Sequence, residues 1–393
     1  MVSIFDIESS YWEIVFAKEA GSHFDVHVLA TEARTESIPT GSVAGGPERD
    51  QGNPFPGVFV HRFPKLVGAR GRTLSRGVAA KLSEIQPAAV VIGAPSTIHP
   101  LPAVRWCNRN GVPYGVISGE YARLRPEGFA RYVAVCYEKT IRRAIYKYSA
   151  RNAASVDCSV AETSRNVSKA TGRNDVRTLS LPVDRGAFRF DASSRQKVRE
   201  GMGWSSDHVS MFCGKFERRK AISSLVQWWA REVKQAPTDR LVLVGASSIA
   251  ESESIVAEIE DLEIGGVEIL PFASPDELAG LYCGADLALF TSVTIGLQQA
   301  LCTGLDVVVP VGDEYEHVFA AVGVSPIARI FLERGAWVRD RSDEPFPRWD
   351  SLGPPAAARG ERADLAGVLG AQSFADQMLA PLGIRGPTLG GPK

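Results

Sequence analysis

Short β-branched runs alternate with longer segments of helical spacing along most of the chain, the pattern of a parallel sheet covered by helices. In the first half the alternation predicts strands over residues 2–6, 25–30, 58–62, 88–92, 114–118, 154–160 and 176–180. Helical spacing predicts helices over 12–19, 74–85, 101–110, 129–148 and 162–170. Residues 31–56 are rich in Gly, Pro, Ser and Thr, have no clear period, and are predicted to form a loop.

Leu181-Pro182-Val183-Asp184 interrupts the alternation as a hinge would, and a second series follows. Its predicted strands cover 208–213, 240–244, 267–270, 287–290, 307–310 and 336–338, and its helices 219–235, 249–261, 275–283, 295–303 and 316–322. Residues 345–362 are rich in Pro, Ala, Gly and Arg and are predicted irregular. Helical spacing returns over 363–382, and 385–393 should fray. The expected division is an N-terminal Rossmann-like domain over 1–184, a second over 185–362, and a C-terminal helix and tail over 363–393.

Composition agrees with a globular α/β chain: 393 residues, 45% hydrophobic and 23% charged, are enough for two cores. A net charge of −1 excludes a globally basic nucleic-acid binder, so no nucleic acid is expected as a partner. No apolar run approaches the roughly 18–20 residues that span a bilayer. Asp6, Glu8 and Glu13 interrupt the chain's start, which has no basic leader segment. No two of the six cysteines stand at Cys-x-x-Cys spacing. They are read as buried free thiols, and the chain as cytoplasmic.

In open α/β sheets ligands gather at the carboxyl ends of strands. Four such ends in the second series carry candidate chemistry. In Cys213-Gly214-Lys215-Phe216-Glu217-Arg218-Arg219-Lys220, Gly214 permits close backbone approach. Lys215 and Lys220 can converge on a diphosphate, although a solvated basic loop would look the same. Gly245, in Val244-Gly245-Ala246-Ser247, suits a close-packed turn. Phe272 follows a strand and precedes a capped helix, where it can line a nucleobase pocket or belong to the core. Thr291, Ser292, Thr294 and Gly296 form a hydroxyl-rich loop leading into a helix N-terminus, a ready anion site. Gln299, one turn along, can reach a ribose.

Together these segments resemble the donor domain of the retaining GT-B glycosyltransferases of family 4, the glycosyl transferase group 1 family. That family carries Gly-Arg-x-x-x-x-Lys-Gly after the first strand of its C-terminal domain. Gly214, Lys215, Lys220 and Ala221 stand at this spacing, with Lys for Arg and Ala for Gly. The stretch from Phe272 to Ser292, including Ala285-Asp286-Leu287, is similar to the next family motif. Gln299-Ala300-Leu301-Cys302-Thr303-Gly304 is similar to its Glu-Ala-x-x-x-Gly helix, and Val183-Asp184-x-x-x-Phe188 to its interdomain linker. Order and spacing agree over residues 85–310.

The resemblance implies a GT-B fold, two Rossmann-like domains facing across a cleft. It also implies transfer of a sugar from a nucleotide-diphosphate donor with retention of configuration, with no cofactor and no bound metal. The acceptor would be a glycan, a lipid-linked or a small molecule, as in polysaccharide or glycoconjugate biosynthesis. Lys215 and Lys220 would stabilise the leaving diphosphate, and Gln299 would hold the ribose. The chain departs from the family where Gln299 replaces the second of two glutamates, the loop before it is shorter, and the first glutamate has no counterpart. Glu8-Ser9-Ser10-Tyr11-Trp12-Glu13 replaces a glycine-rich loop, and Gly119-Glu120 stand where a histidine is common. Glu120, with Glu8 as a second choice, is the candidate for the missing carboxylate. The same departures admit an alternative, a GT-B scaffold without catalysis that serves as a nucleotide-binding or partner subunit.

Residues 121–151 hold eight Lys/Arg against two Asp/Glu, with apolar residues from Phe129 to Tyr148 at helical spacing. The first reading is a core-packing helix with a solvated basic face. The second is peripheral contact with the inner face of a membrane or with a lipid-phosphate acceptor.

Overall fold

The computed structural model describes residues 1, 12–31, 52–67, 74–119, 136–204, 208–292, 294–314, 316–340, 346–348 and 356–385. The predicted strand over 2–6, Glu8, Glu120 and the final tail lie outside them. The chain divides into two units, one of Met1–Pro182 with Ala371–Lys393 and one of Val183–Gly370.

In the first unit α1 (Trp12–Gly21) leads to β1 (Val26–Thr31), followed by β2 (Gly52–Phe55) and β3 (Val58–Phe63). These strands form a sheet of order β1-β3-β2, with β1 parallel and β2 antiparallel to β3. A small ribbon pairs β4 (Lys65–Val67) with β5 (Leu74–Ser75). Next come α2 (Val78–Ile85), β6 (Val90–Gly93), α3 (Leu101–Asn110), β7 (Tyr114–Ser118), α4 (Arg143–Ala150), β8 (Ser155–Cys158), α5 (Ala161–Thr171) and β9 (Val176–Thr178). Strands β6-β7-β8-β9 are parallel neighbours in that order. Every residue of β6, β7 and β8 is buried, as expected of parallel strands covered on both faces.

Three expectations change here. The helix predicted over 74–85 begins only at Val78, because Gly77, at φ 103°, turns the chain left-handed and frees Leu74–Ser75 to pair as β5. The loop predicted over 31–56 ends in a strand, β2, paired with β3. Of the helix predicted over 129–148, the described part enters α4 through a π-helical turn at Glu138–Arg142.

The second unit contains α6 (Ala192–Met202), β10 (Val209–Cys213), α7 (Ile222–Glu232), β11 (Arg240–Ala246), α8 (Ala250–Glu260), β12 (Val267–Pro271), α9 (Pro275–Gly284) and β13 (Leu287–Leu289). It continues with α10 (Ile295–Cys302), β14 (Asp306–Pro310), α11 (Glu316–Val322), β15 (Ala328–Glu333), β16 (Ala336–Arg339) and α12 (Ala356–Leu365). One sheet of order β12-β11-β10-β13-β14-β15-β16 results, parallel except for β16. Trp204, Tyr282, Phe290 and Leu297 belong to one of its apolar clusters, and Phe212, Trp228, Trp229 and Leu243 to the other.

Two helices and one strand of this unit are absent from the predicted set. In α6 no residue is buried, so no apolar period marks it. Only its caps do, with Asp191 accepting from the Ser193 and Ser194 N–H groups and Gly203 left-handed at the end. Helix α12 occupies sequence expected to be irregular, and β15 joins the sheet beside β14 with half its residues exposed. The helix expected over 363–382 is broken at Gly370, and the piece beyond it, α13 (Ala371–Leu379), belongs to the first unit. There Phe374 packs on Trp12 and Phe16, with ring centroids 6.0 and 6.1 Å apart. No helix of the described residues is long and apolar enough to cross a membrane.

Candidate functional site

In the second unit the chain runs from β10 outward through β11 to β12, then returns to place β13 on the other side of β10. Loops leaving β10 and β13 therefore diverge, and this switch point is where open α/β sheets bind ligands. The two strand ends are level, since Phe212 pairs with Leu289 and Cys213 with Val244.

Gly214 follows β10, and Gly245 near the end of β11 has φ 124°. A Cβ at Gly245 would strike the Gly214 carbonyl, so the absence of a side chain lets the two strand ends close. A Cβ on Gly214 would stand 2.6 Å from Lys220 Nζ. The Lys220 ammonium thus lies against the Gly214 backbone, 5.9 Å from the Phe212 ring centroid, and the residue is only 5% exposed. Among the described residues this ammonium has no ion pair or hydrogen bond. Burial pushes its pKa down; Glu217 opposes the shift, while Arg219 and Lys215 add to it. Lys215 is half-buried and also lowered, chiefly by burial.

Lys220 sits in a 3-10 turn, Arg218–Lys220, not in the first α-turn as the predicted helix over 219–235 required. The reason is Ala221, held left-handed at φ 44° and ψ 52° where the family pattern has glycine. The Trp337 indole donates to the Ala221 carbonyl at 3.0 Å, and α7 starts only after this kink.

Beyond β13, Thr291 is buried and its hydroxyl has no partner among the described residues. Thr294 occupies the N-cap position of α10 with extended backbone, yet its side chain caps nothing and its Oγ1 is also unpaired. Helix α9 shows the alternative, with Ser274 and Glu277 closing a reciprocal capping box. A Cβ on Gly296 would meet Tyr282 Oη at 3.0 Å and Thr294 Oγ1 at 3.3 Å. Tyr282 Oη lies beside the Cys213 thiol, but no group meets it in hydrogen-bonding geometry. Three unpaired hydroxyls, an uncapped helix start and a buried ammonium therefore collect around the ends of β10 and β13. The partial positive charge of the helix start and the ammonium both favour an anion.

The remaining predicted residues are placed as follows. Ser292 is half-buried on the same loop. Phe272 is 44% exposed at the end of β12, its N–H bound to the Ala246 carbonyl. Gln299 is buried and has a partner, so its amide is not presented at the surface, and neighbouring Gln298 has a buried Oε1 without one. Tyr282 and Gln298 were not among the predicted site residues. An apolar helix around a tyrosine reads as core in sequence, and only the contact with Gly296 connects it to the site. Cys107, Cys158, Cys283 and Cys302 are buried free thiols as expected, while Cys213 is half-buried and Cys136 exposed. Among the described residues no group of three or more His, Cys, Asp or Glu side chains is arranged to hold a metal.

The fold is that of the GT-B glycosyltransferases. HepE of Anabaena, in complex with UDP, superposes with a TM-score of 0.58 at 16% identity, over 96% of this chain and 94% of that one. Sucrose-phosphate synthase from Thermosynechococcus elongatus gives 0.55 at 13% identity over 97% and 93%. WaaG, a glycosyltransferase involved in lipopolysaccharide biosynthesis, gives 0.51 at 13% over 97% and 96%. No curated protein sequence matches the chain. Residues 207–312 match the family described as Glycosyl transferases group 1, so the resemblance read from the motifs is shown over this segment. It runs from β10 through β14 and contains every predicted donor-site residue of the second unit.

Proposed function

We propose that the protein is a glycosyltransferase that moves a sugar from a nucleotide-diphosphate donor to an acceptor, with retention of configuration. What supports this reading is the buried Lys220 ammonium at the end of β10 together with the uncapped start of α10 after the neighbouring strand β13, on the segment matching the group 1 family. The sugar–phosphate bond breaks with charge building on the diphosphate, and fixed donors aimed at that charge lower the barrier. Lys220 and Lys215 supply the cations, and Thr291, Thr294 and the first N–H groups of α10 the neutral donors. In this reading they neutralise the leaving group without a protein-bound metal. Binding the anion would restore the Lys220 pKa, because a nearby negative charge favours the ammonium. Phe272 offers an exposed ring for a base. Gln299 meets the ribose only if its enclosed amide is released.

HepE is seen with UDP and with UDP-glucose, which makes uridine nucleotides the first donors to try. The test is release of nucleoside diphosphate from a panel of nucleotide sugars with acceptor extracts, followed by NMR of the product's anomeric centre. An axial donor giving an axial product is expected. An inverted product would overturn retention, and nucleotide binding without turnover on any donor would favour the scaffold.

A further inference from the structure

A groove of about 670 Å³ lies on the first unit between α2, α3 and α4, within the usual size of small-molecule sites. Ile98, Leu101, Trp106, Ala144 and Ile145 give it hydrocarbon walls. The Trp106 indole N–H is already committed to Ser83 Oγ at 2.8 Å. At the rim stand Arg105 and Arg109, one turn apart on α3, both exposed and without a hydrogen bond or ion pair among the described residues.

The neighbouring helical segment extends the same pattern. Ile145 and Tyr148, three residues apart on α4, share one face, and Ile141 precedes them in the π-helical turn. Ile141 is 55% and Tyr148 44% exposed, and they are the only large exposed apolar side chains among the described residues of this unit. Of the two, Tyr148 lines the groove, and Ile141 stands four residues before the lining Ile145. The same segment carries Lys139, Arg142, Arg143, Lys147 and Arg151, with Glu138 the one acid over 136–151. A core-packing helix with a solvated basic face does not account for apolar residues that remain outside the core.

We propose that this groove takes a hydrocarbon chain of an anionic membrane phospholipid, with its phosphate against Arg105 and Arg109 and with Ile141 and Tyr148 entering the interface. Hydrocarbon walls offer nothing to pair the backbone of a bound peptide, which disfavours a protein segment. A second copy seated face to face would bring like charges together. An amphiphile with an apolar chain and an anionic head satisfies both parts of the surface. The inference is independent of sugar transfer and is tested without it.

The experiment is co-sedimentation of the full-length protein with vesicles of phosphatidylcholine alone or mixed with phosphatidylglycerol, at low and high salt. Partition onto the anionic vesicles should be about tenfold stronger or more, and should weaken as salt screens the charges. Ala144→Trp fills the groove without changing charge, and the pair Arg105→Gln and Arg109→Gln removes charge without filling it. Each should lower partition about tenfold while circular dichroism and the melting temperature hold. If Ala144→Trp fails to fold, Ile141→Ser, on an exposed position, tests the apolar contact with the interface and should also lower partition. No binding at low salt, or equal binding to both vesicle types, would overturn the proposal. So would loss of binding in the arginine variant alone, which means electrostatic attachment without an occupied groove. A dimer in solution that Ala144→Trp dissolves would show that a second copy occupies the groove instead.

Discussion

The two edges of the sheet in the second unit treat the same helices in opposite ways. At the amino edge, Arg195 donates to the carbonyls of Cys283, Gly284 and Ala285 and pairs with Asp286 at 2.5 Å. Arg199 reaches Gly284 and Asp286, and Asp286 also accepts the Val209 N–H. Arg359, buried against the Phe190 ring, donates to the carbonyls of Tyr282, Cys283, Ala285 and Thr303. The C-terminal end of α9 therefore has side-chain donors on the carbonyls of residues 282–285, and at the end of α10 the Thr303 carbonyl accepts from Arg359. At the carboxyl edge the start of α10 has no side-chain cap, and among the described residues Thr291, Thr294 and Tyr282 are unpaired and Lys220 has no counter-ion. Buried polar groups are nearly always satisfied. Trp228 Nε1, Asp239 Oδ1 and Arg339 Nε also lack partners among the described residues, and what sets the carboxyl edge apart is that its unpaired Tyr282 Oη and Thr294 Oγ1 cluster around Gly296. In the proposed function this edge is where the nucleotide diphosphate would complete the structure.

The contrast can be broken from either side. Arg359→Ala should have the largest effect, orphaning several buried carbonyls and costing about 3–5 kcal/mol of stability. Urea unfolding measures it, and nucleotide affinity of the folded protein should be unchanged. An unaltered midpoint would mean the arginine clamp is redundant. Gly245→Ala should cost about 1–3 kcal/mol in backbone strain and also displace Gly214, so stability and nucleotide affinity should fall together. A variant that melts lower but binds normally would separate Gly245 from the site.

The pH dependence sharpens the comparison. With Lys220 lowered by burial, the unfolded chain holds more protons between its folded pKa and the ordinary lysine range. Stability of the unliganded protein should rise with pH across that window. Affinity for a nucleoside diphosphate should fall across it as the ammonium is lost. Calorimetry and thermal melts over the alkaline range check both trends, and parallel trends would contradict the account. The smallest effect expected is from Ala221→Gly, which relieves a left-handed alanine and should stabilise by about 0.5–1 kcal/mol, read from the melting temperature.

The carboxyl edge was largely legible in the sequence and the amino edge was not. Gly214, Lys220 and Thr294 lie within a few residues of strand ends, where short-range pattern carries the information. Their places in the geometry, such as Lys220 lying against the Gly214 backbone, arise only in the folded chain. The clamp joins Arg195, Arg199 and Arg359 from α6 and α12 to carbonyls far along the chain, and backbone carbonyls leave no mark in a sequence. Helix α6 hid because none of its residues is buried, and α12 because its Ala, Arg and Gly content has no apolar period. The groove was half visible: the basic amphipathic pattern over 121–151 was plain, but only the folded structure shows that Ile141 and Tyr148 lie outside the core.

The central claim is that the carboxyl edge stores an unpaired charge for a diphosphate, and Lys220→Met tests it most directly. Titration calorimetry with a nucleoside diphosphate, alongside a thermal melt without ligand, gives both quantities on one sample. Affinity should fall by roughly 1.5–3 kcal/mol through loss of a charge-assisted hydrogen bond. The unliganded melting temperature should stay level or rise, because a buried ammonium without a counter-ion has been removed. Unchanged affinity together with a lower melting temperature would show Lys220 to be a structural residue and would contradict the account.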